Sequence, residues 1–150
     1  CQFTPQGDLI VGGTNRGWPV RGPREFAIQR LDWTGVVPFE IKRINARPDG
    51  FLITFTKPVD PAIASDPATY SMQTFTHVYQ QGYGSPEVDQ TKPSVVKAQV
   101  SNDGLQVRIK VEGLVQGHVH EFDLEPMREP GGGKLVHENA YYTLNEIPNN

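Results

Sequence analysis

The chain has 150 residues, of which 37% are hydrophobic and 21% charged, and its formal net charge is −3. That length supports one well-buried core with an appendage rather than two full domains, and the composition has neither the low hydrophobicity nor the high charge of a disordered chain. The acidic balance argues against a general nucleic-acid binder, and no apolar run is long enough to cross a bilayer as a helix.

Asp8 to Val11 form a short apolar run that ends at Gly12-Gly13. No helix signal follows the glycines, so this stretch lacks the strand-to-helix context of a phosphate-binding loop. From Thr14 to Arg24 the chain reads as loop, with two prolines, Trp18 and the arginines Arg16, Arg21 and Arg24. EFAIQRLDW (Glu25 to Trp33) then reads as extended, and Thr34-Gly35 punctuates it. A boundary is placed there, giving an amino-terminal segment, residues 1–34, and a domain, residues 35–150.

Beyond the boundary apolar residues alternate with polar ones, the period of a half-buried strand. Phe39 and Ile41 lead, a register slip is expected at Lys42-Arg43, and Ile44 and Ala46 resume. Pro48-Asp49-Gly50 predicts a hairpin turn into Phe51, Ile53 and Phe55. SDPATY predicts one helical turn over Asp66 to Thr69, since an aspartate before a proline is a good helix opening. Tyr70 to Tyr79, Ser94 to Val100, Leu105 to Val111, His118 to Leu124 and Ala140 to Leu144 are the remaining strands, with Asn102-Asp103-Gly104 turning the middle pair. The spacing predicts an all-β chain built on an immunoglobulin-like or fibronectin-like sandwich of about seven strands. In GLVQGHVHEFDL, Leu114, Gly117 and His120 match the leucine-glycine-tyrosine spacing of the tyrosine corner of such folds, with His120 in the tyrosine's place.

His118 and His120 also make an H-x-H pair, whose rings leave one face of a strand and could hold copper or zinc with a third ligand. The competing reading is structural: His120 bonds backbone at the corner while its ring packs on the core. Gln80 to Ser94 reads as the longest loop, and loops of that length commonly carry function. Its Tyr83 and Glu87, with Tyr79 just before it, are candidate binding groups, alongside Arg16, Trp18 and Arg21 of the earlier loop. No nucleophile elbow occurs, and the only cysteine, Cys1, excludes an intrachain disulfide. A leading cysteine could bear the lipid of a lipoprotein, but an extended segment follows it where a lipoprotein has a polar tether.

Two stretches resemble known families. QFTPQGDLIVGG resembles the F-x-P-x-G-x-L-x-V-G strand pattern of six-bladed propellers of the sugar and sorbosone dehydrogenase kind. DLIVGGTNRGW followed by RGPREFAIQRLDWTGVVPFEIK resembles the end of such a propeller in large secreted planctomycete-type proteins, which often carry a CxxCH haem-binding domain. ITFTKPVDPAIASDPATYSMQTF, KAQVSNDGLQVRIKVEGLVQGHVHEFDL and NAYYTLN are similar to the Ig-like module that follows it, and to the Ig-like domains of bacterial surface-layer proteins.

The resemblance implies a secreted, periplasmic or cell-surface location and a non-catalytic accessory module. It implies packing against a neighbouring propeller of the same chain, and contact with a protein or a cell-surface polymer such as a carbohydrate. No CxxCH is present, so haem does not carry over and no cofactor is expected. The enzymatic alternative is a fragment of a quinone- or sugar-linked dehydrogenase that contributes surface to its activity; the third reading is the metal-binding sandwich of His118 and His120. The apolar run at Asp8 to Val11 is expected to fold back on Glu25 to Trp33 or to pair with another chain, giving a strand-paired dimer.

Overall fold

A computed structural model describes residues 1–14 and 26–149. The chain forms two compact units, Cys1–Val36 and Val37–Asn150.

The first unit is a three-stranded antiparallel sheet in the order β1-β2-β3, from Gln2–Phe3, Leu9–Thr14 and Phe26–Leu31. Gly7, at φ +94°, makes the turn between β1 and β2, where a side chain would be strained. The β2 strand pairs with β3 along its full length, from Leu9 opposite Leu31 to Thr14 opposite Phe26. The fold-back onto the second segment is therefore the pairing observed within this chain. Arg30 bridges Asp8 at 2.8 Å and Asp32 at 2.6 Å.

The second unit is an eight-stranded sandwich: β4 (Ile41–Arg47), β5 (Gly50–Phe55), β6 (Ser71–His77), β7 (Glu87–Thr91), β8 (Ser94–Val100), β9 (Gln106–Glu112), β10 (His118–Asp123) and β11 (Asn139–Leu144). One sheet runs β4-β5-β9-β8 and the other β11-β10-β6-β7. These orders are A-B-E-D and G-F-C-C′ in immunoglobulin lettering, so the topology as well as the strand count is Ig-like. The register slips between Ile41 and Arg43, at the Lys42-Arg43 step read from the sequence.

The core is built from the inward half of each alternation. Phe51, Ile53 and Phe55 of β5 and Val107, Ile109 and Val111 of β9 meet Met72 and Phe122 of the facing sheet, with Leu124 and Leu144 also buried. The ring of Phe51 lies edge-on to Phe122 at 5.0 Å and to Tyr142 at 5.4 Å. Each fully buried side chain of this size contributes roughly 1.5–3 kcal/mol of transfer free energy. Gly50 sits at φ +154°, and a β-carbon there would stand 2.1 Å from the Ile109 carbonyl oxygen. Only glycine lets β5 lie that close to β9 at this turn.

Between β5 and β6 the chain makes two short helical turns. The 3-10 turn Pro67–Thr69 is capped by Asp66, as the sequence predicts. The preceding turn, α1 (Pro61–Ala64), is capped by Asp60, whose side chain accepts from the amides of Ala62 and Ile63. Tyr70 closes the segment, its hydroxyl donating to the Ala64 carbonyl at 2.6 Å.

One expectation is corrected here. The stretch from Gln80 to Ser94 is not a single loop, because Glu87–Thr91 forms the edge strand β7 against β6. The Thr74 and Thr91 hydroxyls meet at 2.6 Å and fasten it.

Candidate functional site

The sequence-derived candidates fall in three places. Arg16, Trp18 and Arg21 lie outside the described residues. Tyr79, Tyr83 and Glu87 gather at the β6–β7 connection. Tyr79 and Tyr83 project wholly into solvent, at 101% and 109% relative exposure. The loop that carries them is braced: the Ser85 hydroxyl donates to the Val78 carbonyl at 2.7 Å, and the Gln80 amide donates to the Gly84 carbonyl at 2.5 Å. At the loop's base Nδ1 of His77 lies 3.2 Å from the Ser85 carbonyl oxygen and 3.3 Å from that of Pro86. Glu87 stands opposite His77 in the strand register. The arrangement presents two exposed aromatic rings on a braced loop that leads into Glu87.

His118 and His120 share the inward face at the start of β10, and their surroundings differ. Nε2 of His118 lies 2.9 Å from Oδ2 of Asp89, and its Nδ1 lies 3.3 Å from the Gln116 carbonyl. Asp89 reaches it from a left-handed backbone conformation, φ +55°. Such a conformation is uncommon outside glycine, although aspartate tolerates it better than most residues. His120 is fully buried, 5.4 Å from the ring of Phe51. Its Nε2 accepts from the Val115 amide at 3.4 Å, and Nδ1 lies 3.4 Å from the His118 carbonyl. Burial pushes the His120 imidazole below its ordinary pKa, so the ring is neutral. Because β10 occupies the F position, this is the geometry of the tyrosine corner with an imidazole in place of the phenol. A metal role would require that ring to leave the core. Among the described residues no group of three or more His, Cys, Asp or Glu is arranged to hold a metal ion.

Sequence reasoning missed a polar array on the outward face of the β11-β10-β6-β7 sheet. Glu121 of β10 accepts from the Gln73 amide at 2.7 Å and from the Tyr141 hydroxyl at 2.9 Å. The signal was present in the outward positions of β6, β10 and β11, but the pairing that aligns them is set only by the fold.

No known protein-family pattern matches the chain, and no curated protein matches it. The fold does match solved structures. The N-terminal part of the bacterial S-layer protein SbsC aligns with a TM-score of 0.55 and 22% identity over 73% of this chain and 24% of that one. The S-layer protein rSbsC(31-844) aligns with a TM-score of 0.54 and 22% identity, over 73% of this chain and 14% of that one. SbsC domains 1-6 align with a TM-score of 0.53 and 21% identity, over 72% of this chain and 14% of that one. The chain thus shares its β-rich, Ig-like fold with a part of a surface-layer protein and spans under a quarter of each of these structures.

Proposed function

We propose that this chain is a non-catalytic, Ig-like accessory module of a larger secreted or cell-surface protein. The observation that carries the reading is the state of the first unit. Phe26 (75% exposed), Ile28 (83%), Phe3 (69%) and Leu31 (56%) stand open to solvent on a sheet of only three strands, as does Trp33 (64%) just past its last strand. A sheet with its apolar residues uncovered on both faces belongs inside a larger packing, because isolated small sheets bury too little to be stable. The likeness to surface-layer structures supports the location, and the propeller-like sequence of residues 1–34 supports a propeller as the neighbour. Tyr79, Tyr83 and Glu87 supply a contact surface on the sandwich; Arg16, Trp18 and Arg21 belong to the linker side of the same proposal.

Hydrogen exchange tests it. The chain is compared with a longer protein that includes its natural upstream sequence. Protection of the Phe26–Leu31 amides rises in the longer protein if a neighbour covers this sheet. Equal exchange in the two proteins sinks the reading.

A further inference from the structure

The outward face of the β11-β10-β6-β7 sheet carries two aligned rows of polar side chains that the accessory role leaves unexplained. Gln73, Glu121 and Tyr141 stand opposite one another across three strands, and Ser71, Asp123 and Asn139 form the next row. Strands lie about 4.8 Å apart and alternate residues along a strand about 6.7 Å apart, so the rows make a compact grid. With Lys92 and Met72, the members of these rows other than Tyr141 line a groove of about 220 Å³, and Tyr141 stands beside it, opposite Glu121.

Part of this grid is held rigid. Both oxygens of Glu121 are engaged, one by Gln73 and the other by Tyr141, which fixes the phenol at its outer end. The ring remains 63% exposed. The hydrogen bond to Glu121 raises the Tyr141 pKa and keeps the hydroxyl protonated. Among the described residues the side chains of Ser71, Lys92 and Asn139 make no hydrogen bond or ion pair, and Asp123 accepts only from the Glu125 amide through Oδ1. The groove therefore offers donors from Lys92, Ser71 and Asn139 and acceptors from Asn139 and from Asp123, whose Oδ1 also accepts from the Glu125 amide; the exposed ring of Tyr141 stands beside it, opposite Glu121.

That mixture selects a ligand class. A sugar hydroxyl both donates and accepts, so it can pair with any of these groups, and the C–H face of a sugar ring stacks on an exposed phenol. An anionic polymer is disfavoured, because Glu121 and Asp123 face a single lysine. An apolar peptide is disfavoured because the lining is mainly polar, with Met72 its one apolar side chain. The volume falls below the roughly 300 Å³ at which drug-sized pockets begin, which suits one ring of a chain that continues beyond the groove.

We propose that this groove binds a neutral oligosaccharide, with Tyr141 as the stacking platform and Ser71, Lys92, Asp123 and Asn139 as the hydrogen-bonding groups. The site is separate from the Tyr79–Tyr83 loop and rests on its own geometry.

The test is titration of the whole chain, followed by amide NMR, with cellohexaose, mannohexaose and N-acetylchitohexaose, and with polygalacturonate as the anionic comparison. The proposal expects one of the neutral sugars to bind and to shift the resonances of Gln73, Glu121, Asn139 and Tyr141. Tyr141→Ala is expected to weaken binding about tenfold, and Asn139→Ala to weaken it several-fold. Tyr141→Phe, which keeps the ring, is expected to retain most of it. Thermal melts of each variant separate lost binding from lost folding. Absence of binding by all three neutral sugars at millimolar concentration overturns the proposal. So do binding by polygalacturonate alone, shifts confined to another face, and wild-type affinity in Tyr141→Ala.

Discussion

Nε2 of His120 faces the backbone amide of Val115 at 3.4 Å, a contact that helps tie the entry of β10 to the loop before it. The ring is fully buried and works only when neutral, because the nitrogen that accepts must carry no proton. Burial depresses its pKa below the ordinary value of 6.5. The folded state therefore binds this proton less readily than the unfolded chain does. The stabilisation is complete above the unfolded pKa and is lost as pH falls toward the folded one. Melting temperature should fall as pH is lowered from neutral toward 5. The comparison that isolates this group is His120→Tyr. A tyrosine fits the corner role and should flatten the pH dependence while keeping stability within ~1 kcal/mol. His120→Ala should cost ~3 kcal/mol in denaturant unfolding. An unchanged pH slope in His120→Tyr would remove the corner assignment.

Gly50 provides a sharper steric prediction. Alanine at this position places its β-carbon 2.1 Å from the Ile109 carbonyl and requires φ +154°. Gly50→Ala should destabilise the sandwich by at least ~2 kcal/mol through strain and displacement of β9. Gly82→Ala, which meets nothing closer than 4.0 Å, is the control and should be near neutral. Equal melting temperatures for the two variants would contradict the close strand approach.

The segment between β5 and β6 depends on hydrogen bonds rather than on helix length. Tyr70→Phe removes the donor to the Ala64 carbonyl in a buried setting and should cost ~1–2 kcal/mol. Burial also raises the Tyr70 pKa, so in a spectroscopic alkaline titration this phenol should ionise above the ordinary phenol range. Asp60→Ala and Asp66→Ala each delete a cap and should cost ~1 kcal/mol. Urea unfolding of the three variants checks the order.

The loop tyrosines should behave differently. Tyr79→Ala and Tyr83→Ala alter fully exposed side chains, so stability should stay within ~0.5 kcal/mol of wild type. If they serve contact, partner or surface binding should fall in both. A large loss of stability would show instead that the rings pack onto the protein.

The contrast between what the sequence made legible and what it hid follows from how each element is stabilised. The strands β5 and β9 were readable because Phe51, Ile53, Phe55 and Val107, Ile109, Val111 each place one apolar face on a single core. The EVDQT strand β7 carries no such alternation; it exists because β6 offers it an edge and Thr74 offers Thr91 a hydroxyl partner. The α1 turn was hidden because four residues give no periodicity, and its one signal was Asp60 before Pro61. Phe75 is a subtler case. It is buried yet lies outside the core cluster, on the opposite side of β6 from Met72 and Thr74, where His77 packs edge-on at 5.5 Å. Among the candidate residues, the corner role of His120 was legible from spacing to Leu114 and Gly117. The Gln73–Glu121–Tyr141 row was not, since it joins three strands separated in sequence by long connections.

The most direct test of the accessory-module account is fractionation of the source cells with an antibody raised against residues 37–150. The account predicts a band in the envelope or culture-medium fraction, at a mass far above the 16.7 kDa of this chain. A band of about that mass in the cytosol would contradict it.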